Sequence, residues 1–246
     1  MKRRTFLQLG AFGAGGIALG GWPAVPLGAA DYLLVPMDET QSNHLKAYGL
    51  TFRVLERELK AEWFLNYRNG SFLLPADALT ARDAARSGVT VHPVDMGTVM
   101  GIRAEIRDGN MDAVPLEKAP KMAVYAPPNA APWDDAVTMA LQFAGIKFDQ
   151  IWDEEVVGGK LTTYDWLHLH HEDFTGQYSK FYLNYTGASW LHAMVERNEA
   201  TARKLGFPNV PSTKRAVAQT IGAFVERGGF LFAMCTATET LDLALA

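Results

Sequence analysis

The stretch RGGFLFAMCTATETLDLALA (227–246) decides the fold. Gly228-Gly229 is a turn signal. FLFAMC (230–235) is an apolar run of strand length, and residues 236–245 continue as a short helical segment with no loop between them. A strand passing straight into a helix is a unit of a sheet covered by helices. Cys235, the only cysteine in the chain, sits on the bend.

Upstream, the same alternation recurs. MAVYAP (122–127), FDQIWD (148–153) and YDWLHLHH (164–171) read as strands. Residues 133–145, 189–205 and 214–227 read as helices, two of them stopping at Gly145 and Gly206. Further back, DYLLVP (31–36), EWFLNY (62–67), SFLLP (71–75) and VTVHPV (89–94) read as strands. Residues 40–60 carry Leu45, Tyr48, Phe52, Leu55 and Leu59 at helical spacing, with Thr40 as N-cap. Residues 76–87 form a helix ending at Gly88. Residues 95–119 have no clear period, and Gly109-Asn110 and Pro115 mark a loop or linker there, so a subdomain boundary is placed near 115–120. The expected fold is α/β, a flavodoxin-like three-layer arrangement of one parallel sheet with helices on both faces. The expected domains are 31–118, an N-terminal α/β subdomain, and 119–246.

Residues 1–30 have the layout of an export signal. Lys2, Arg3 and Arg4 are followed by an apolar run from Phe6 to Leu19, and Gly28-Ala29-Ala30 supplies small residues for cleavage. Arg3-Arg4 followed by Thr5-Phe6-Leu7 resembles a twin-arginine signal. The run is short and glycine-rich for a membrane span. A periplasmic location is therefore expected, with membrane contact only through the signal. The whole chain of 246 residues carries 23 basic and 27 acidic residues, a net −4. Removing 1–30 takes away three basic residues and no acidic one, leaving 20 against 27, a net −7. No basic patch stands out, which argues against a nucleic-acid partner. A content of 48% hydrophobic residues supports a real core and excludes disorder, collagen and coiled coil. A lone cysteine excludes an intramolecular disulfide and multi-cysteine metal knuckles.

In parallel sheets, ligands sit beyond the carboxyl ends of the strands. Two such ends carry chemistry. Cys235 on a strand-to-helix bend would stand at the top of the sheet, with Thr236 and the following amides around it and Ala233 and Ala237 as small neighbours. The helix N-terminus would favour the thiolate and lower the thiol pKa. An inert buried thiol is the plain alternative. The second end is His168-Leu-His170-His171-Glu172-Asp173. His168 and His170 share one strand face, and His171, Glu172 and Asp173 fall past the strand end. This group offers either an acid/base cluster or a metal site at His168, His170 and His171; no resident cofactor is expected. Asp38 and Glu39 at the first strand end are further ligand-binding candidates. Asp134 and Asp135 read as helix caps, and Asp153, Glu154 and Glu155 as solvated or capping acids.

The stretch FVERGGFLFAMCTATETLD (224–242), together with YDWLHLHHE (164–172), resembles the nucleophile region of the class I glutamine amidotransferase-like superfamily. The resemblance covers about residues 120–246. It implies a flavodoxin-like fold and, in active members, a Cys-His-Glu type triad, here Cys235 with His170, His171 and Glu172 as candidates. More narrowly, PMDETQSNHLKAYGL, LNYRNGSFLLP, APWDDAV, YDWLHLHHEDFTGQY and FAMCTATETLD resemble exported bacterial proteins labelled asparagine synthetase B. A glutamine-dependent synthetase has a cysteine after Met1 and an SGGxDS-like loop; this chain has Lys2 and no such loop. The elbow reads Ala-Met-Cys-Thr-Ala where the superfamily has Gly-x-Cys-x-Gly, and His170-His171-Glu172 replaces an oxyanion Pro-Gly-Gly. The family's triad histidine and acid follow the cysteine, and only eleven residues follow Cys235 here. The chain is accordingly expected to be a C-terminally incomplete piece without turnover of its own. The base would come from the absent part, or from His170 or His171 across the sheet top. The expected activity is cysteine-dependent hydrolysis of a small amide or ester; the alternatives are a non-catalytic exported ligand- or metal-binding domain, or a partner subunit.

Overall fold

A computed structural model describes residues 30–128 and 135–246. The expected export signal thus lies almost wholly outside the described residues, as do Trp133 and Asp134.

Residues 32–116 build an antiparallel sheet. Its strands are β1 (Tyr32–Val35), β2 (Ala61–Leu65), β3 (Ser71–Pro75), β4 (His92–Val94) and β5 (Asp112–Leu116), in the order β4-β1-β3-β2-β5. Every neighbouring pair is antiparallel. This corrects the expectation of one flavodoxin-like parallel sheet. The connections α1 (His44–Glu56), α2 (Ala78–Ser87) and α3 (Met96–Asp108) each join strands that run the same way, which preserves the strand–helix–strand rhythm. However, β3 inserts between β1 and β2, and β1 inserts between β3 and β4. Each of these two same-direction pairs is separated by a strand of opposite sense, as in the split βαβ motif, while β4 and β5, joined by α3, form the two edges.

Both faces of this sheet are covered. Leu33, Val35, Phe72 and Leu74 pack with Ala47, Leu50 and Val54 of α1 and Ala84 of α2. Leu34, Phe64, Leu73 and Val94 pack with Val99, Ile102 and Ile106 of α3 on the other side. The strands therefore read as unbroken apolar runs, the usual mark of a parallel sheet. The β2–β3 hairpin turns through Asn66, Arg68, Asn69 and Gly70, all at positive φ. Gly70 (φ +92°) is required there: a Cβ would lie 3.1 Å from Nε1 of Trp63, which donates to the Gly70 carbonyl at 3.0 Å.

The second sheet is parallel, with β6 (Met122–Tyr125), β7 (Asp149–Ile151), β8 (Trp166–Leu169) and β9 (Phe230–Ala233) in the order β7-β6-β8-β9. Helices α4 (Ala136–Ala144), α5 (Asp153–Val157), α6 (Ser179–Tyr185), α7 (Ser189–Lys204), α8 (Val210–Glu226) and α9 (Cys235–Leu245) complete it. Ala123, Tyr125, Leu167 and Leu169 pack against Val156 of α5, Val217 and Ile221 of α8 and Leu241 of α9. On the opposite face, Met122, Val124 and Trp166 meet Val137 and Leu141 of α4 and Phe52 of α1. Helix α1 thus serves both sheets. Its Gly49 lies where a Cβ would overlap the Ala144 carbonyl oxygen, and Arg53 donates to that same oxygen at 3.3 Å. Among the described residues, no helix is long and apolar enough to cross a membrane.

Candidate functional site

Because β6 to β9 are parallel, their carboxyl ends share one rim. The register pairs Leu169 with Ala233, so His170 follows on one strand as Met234 and Cys235 follow on the next. Met234 N donates to Leu169 O at 3.0 Å, and Ala237 N to His170 O at 3.4 Å. Thr240 Oγ1 ties α9 to the Glu172 carbonyl at 2.9 Å. The β8 end and the start of α9 are stitched together by these bonds.

Cys235 opens α9 at φ 51°, in the left-handed region, with its side chain exposed. A non-glycine residue held there costs on the order of 1–3 kcal/mol, so the surrounding packing must impose it. That packing is visible: Ala237 is fully buried against the core, and Ala233 packs on the same cluster. Sγ lies 3.6 Å from Thr236 Oγ1.

The end of β8 and the head of α4 form a histidine–carboxylate cluster. Asp135 caps α4, its Oδ1 accepting from Val137 N at 2.8 Å and Thr138 N at 3.3 Å. The same carboxylate stands 3.5 Å (Oδ2) from His168 Nε2 and 3.4 Å (Oδ1) from His170 Nδ1. His170 Nδ1 also lies 3.1 Å from His171 Nδ1. Burial pushes the Asp135 carboxyl up, but the two helix amides and His168 outweigh it and hold it below the usual range. His168 is 1% exposed and stacks between His170 and Phe232. Neither of its ring nitrogens makes a well-formed hydrogen bond. Burial lowers its pKa, with Asp135 opposing. Among the described residues, no group of three or more His, Cys, Asp or Glu side chains is arranged to hold a metal ion.

Glu172 turns inward. Its Oε2 accepts from His170 N at 3.0 Å, and burial raises its pKa against the pull of that bond and of Lys214. Asp173 folds its Oδ1 onto Thr175 N at 2.8 Å. Asp38 and Glu39 belong to the other sheet. Asp38 is tied to Arg68 at 2.6 Å and to Thr40, so β1 ends in a structural clasp and not on the Cys235 rim.

Two participants were missed in the sequence. Asp135 does cap α4, but its histidine partners are distant in the chain and no local signal marks them. Lys214 lies on the apolar stripe of α8 with Val217, Ala218 and Ile221, and that misplaced charge was the available sign. Its Nζ donates to Tyr125 OH and to Asp153 Oδ1, both at 2.9 Å, and lies 4.0 Å above the Trp152 ring. Tyr125 donates to Asp153 as well, and its pKa is raised by burial and by that carboxylate.

A cavity of about 460 Å³ lies at the opposite end of the parallel sheet, lined by Phe52, Met122 and Phe148 among others. Another of about 270 Å³ is lined by Tyr178, Asn209 and Pro211. Neither is lined by Cys235 or the histidines. Comparison of the chain with family models, curated proteins and solved structures finds no match.

Proposed function

We propose that this chain is a cysteine-dependent hydrolase of a small ester or amide, with Cys235 as its nucleophile. The observation that carries the reading is the left-handed Cys235 at the head of α9, on the rim it shares with His170. Strained, exposed nucleophiles on strand-to-helix bends present their side chain to substrate, and the helix amides favour thiolate and oxyanion. The likeness of residues 120–246 to class I glutamine amidotransferase-like proteins supports acyl chemistry, and the Arg3-Arg4 signal supports action in the periplasm on a small molecule.

The test is the pH dependence of iodoacetamide labelling. As the only cysteine, Cys235 is the sole thiol read. Half-maximal labelling well below the free-thiol value of about 8.5 supports the proposal, and an unshifted profile contradicts it. One observation favours a second reading, a ligand-binding module without turnover: the Ala237 amide, in the first turn of α9, already donates to His170 O. That reading requires Cys235→Ala to leave ligand binding unchanged.

A further inference from the structure

We propose that two copies of this chain pair edge to edge through β9, forming a two-fold dimer in which their four-stranded parallel sheets join into one. This goes beyond the hydrolase reading and does not depend on it.

The order β7-β6-β8-β9 leaves β9 at the edge of its sheet. Phe230 N donates to Asp165 O at 2.9 Å and Met234 N to Leu169 O at 3.0 Å, so every second residue of this strand faces β8. Leu231 and Ala233 alternate with them and turn their amides and carbonyls outward. Edge strands are usually blunted by a charge, a proline or a bulge. FLFA (230–233) holds no charge and no proline, and it pairs with β8 in unbroken register from Phe230 to Ala233. Its side chains are open as well: Phe230 is 53% exposed, Phe232 41% and Met234 36%. The two rings rest on β8 alone, Phe230 at 4.6 Å from Trp166 and Phe232 at 5.7 Å from His168.

A second copy suits this edge because the edge is complementary to itself. A two-fold axis makes the paired strands antiparallel and sets one patch against the same patch. With the axis at Phe232, Leu231 of each copy lies opposite Ala233 of the other, and the outward amides and carbonyls of both residues all pair. Phe232 then meets Phe232, and Phe230 meets Met234, at positions without backbone bonds, where side chains come closest. An axis at Leu231 would instead set Ala233 opposite Gly229, whose amide is already donated to Phe224 O at 3.0 Å. With no charge on β9, no like charges meet across the pair. Phe230, Phe232 and Met234 leave roughly 250 Å² of apolar surface open per copy, on the usual area of such side chains. With the backbone edge added, two copies bury less than about 1,200 Å², the size of a weak association. The dimer therefore forms in the micromolar range and exchanges with monomer. The Gly228-Gly229 turn of the second copy comes beside Cys235 and borders the approach to the sulfur.

The experiment is sedimentation velocity of the intact chain from about 1 to 300 μM, the range that a micromolar association spans. The expected result is a monomer–dimer equilibrium. Phe232→Lys sets two ammonium groups against each other on the axis and should raise the dissociation constant at least about tenfold. Disulfide trapping tests the register without relying on that variant's fold. In a Cys235→Ser background, Phe232→Cys should give a linked dimer, since Cα atoms paired at such a position lie about 4.5 Å apart, within disulfide range. Phe230→Cys, which lies opposite Met234 and far from its own copy, should link at least about tenfold more slowly. A chain that stays monomeric throughout leaves β9 to another occupant and overturns the proposal. A dimer that Phe232→Lys leaves intact, or equal linking of the two cysteine variants, overturns it too.

Discussion

Lys214→Met removes a cation buried beneath the rim while keeping a long, flexible stem. Lys214 is 3% exposed and Asp153 1%. The substitution strips Asp153 of a 2.9 Å partner and leaves its carboxylate with Tyr125 as the remaining side-chain donor. Leaving one member of a buried pair uncompensated costs about 3–5 kcal/mol. Methionine on the apolar stripe of α8 offsets part of that, which leaves a net loss of about 3 kcal/mol. At about 2–4 °C per kcal/mol for a chain of this size, Tm falls by about 6–12 °C. The assay is thermal and urea unfolding followed by circular dichroism, with Lys214→Met, Asp153→Asn and the double variant forming a cycle. If an orphaned charge is the cause, the double variant is more stable than the sum of the singles by at least about 1 kcal/mol. A Lys214→Met protein within about 1 kcal/mol of wild type, or strictly additive singles, refutes the reasoning.

Gly49→Ala places a methyl group against the Ala144 carbonyl where α1 meets α4, and should cost about 1–3 kcal/mol and increase proteolytic cleavage between the two sheets; unchanged unfolding would show that the helices part freely. Asp38 has its carboxyl pushed up by burial but drawn down to about 2 by hydrogen bonds from Arg68 and Thr40. Its contribution is therefore present above the ordinary carboxylate range and lost as pH falls towards 2; Arg68→Ala should move the Asp38 titration, read by NMR, back towards 3.8. Glu172 carries the opposite sign. Its folded pKa is raised, mainly by burial, so stability falls as pH rises from about 4.3 through the raised value. Glu172→Gln, which can still accept from His170 N, should flatten that decline, and an unchanged slope would place the effect elsewhere.

The parallel half was legible because its strands, turns and glycine stops lie in register with local signals: Gly145 caps α4 at φ +77° where the helix was expected to end. The antiparallel half was not. Strand direction is set by which neighbours pair, and apolar runs such as Leu33-Leu34-Val35, buried on both faces, read alike in either kind of sheet. Helix α3 escaped because Gly97 and Gly101 interrupt its short apolar stripe, and β5 because Pro115 marks a break; both proline and strand are accommodated at the edge of the sheet, beside β2. Helix α1 begins at His44 on an Asn43 cap, since Thr40 is spent on the Asp38 clasp. In the site, Cys235 and the His168–Asp173 run were visible as residue types past apolar strands. Asp135 was visible only as a cap, since its second role arises from packing between α4 and β8.

The most direct measurement is mass spectrometry of the protein acid-quenched during turnover of p-nitrophenyl acetate. An activated sulfur on the rim predicts an acetyl thioester on the peptide holding Cys235, absent in Cys235→Ala. No adduct, or one on a lysine at the same level in both proteins, would contradict it.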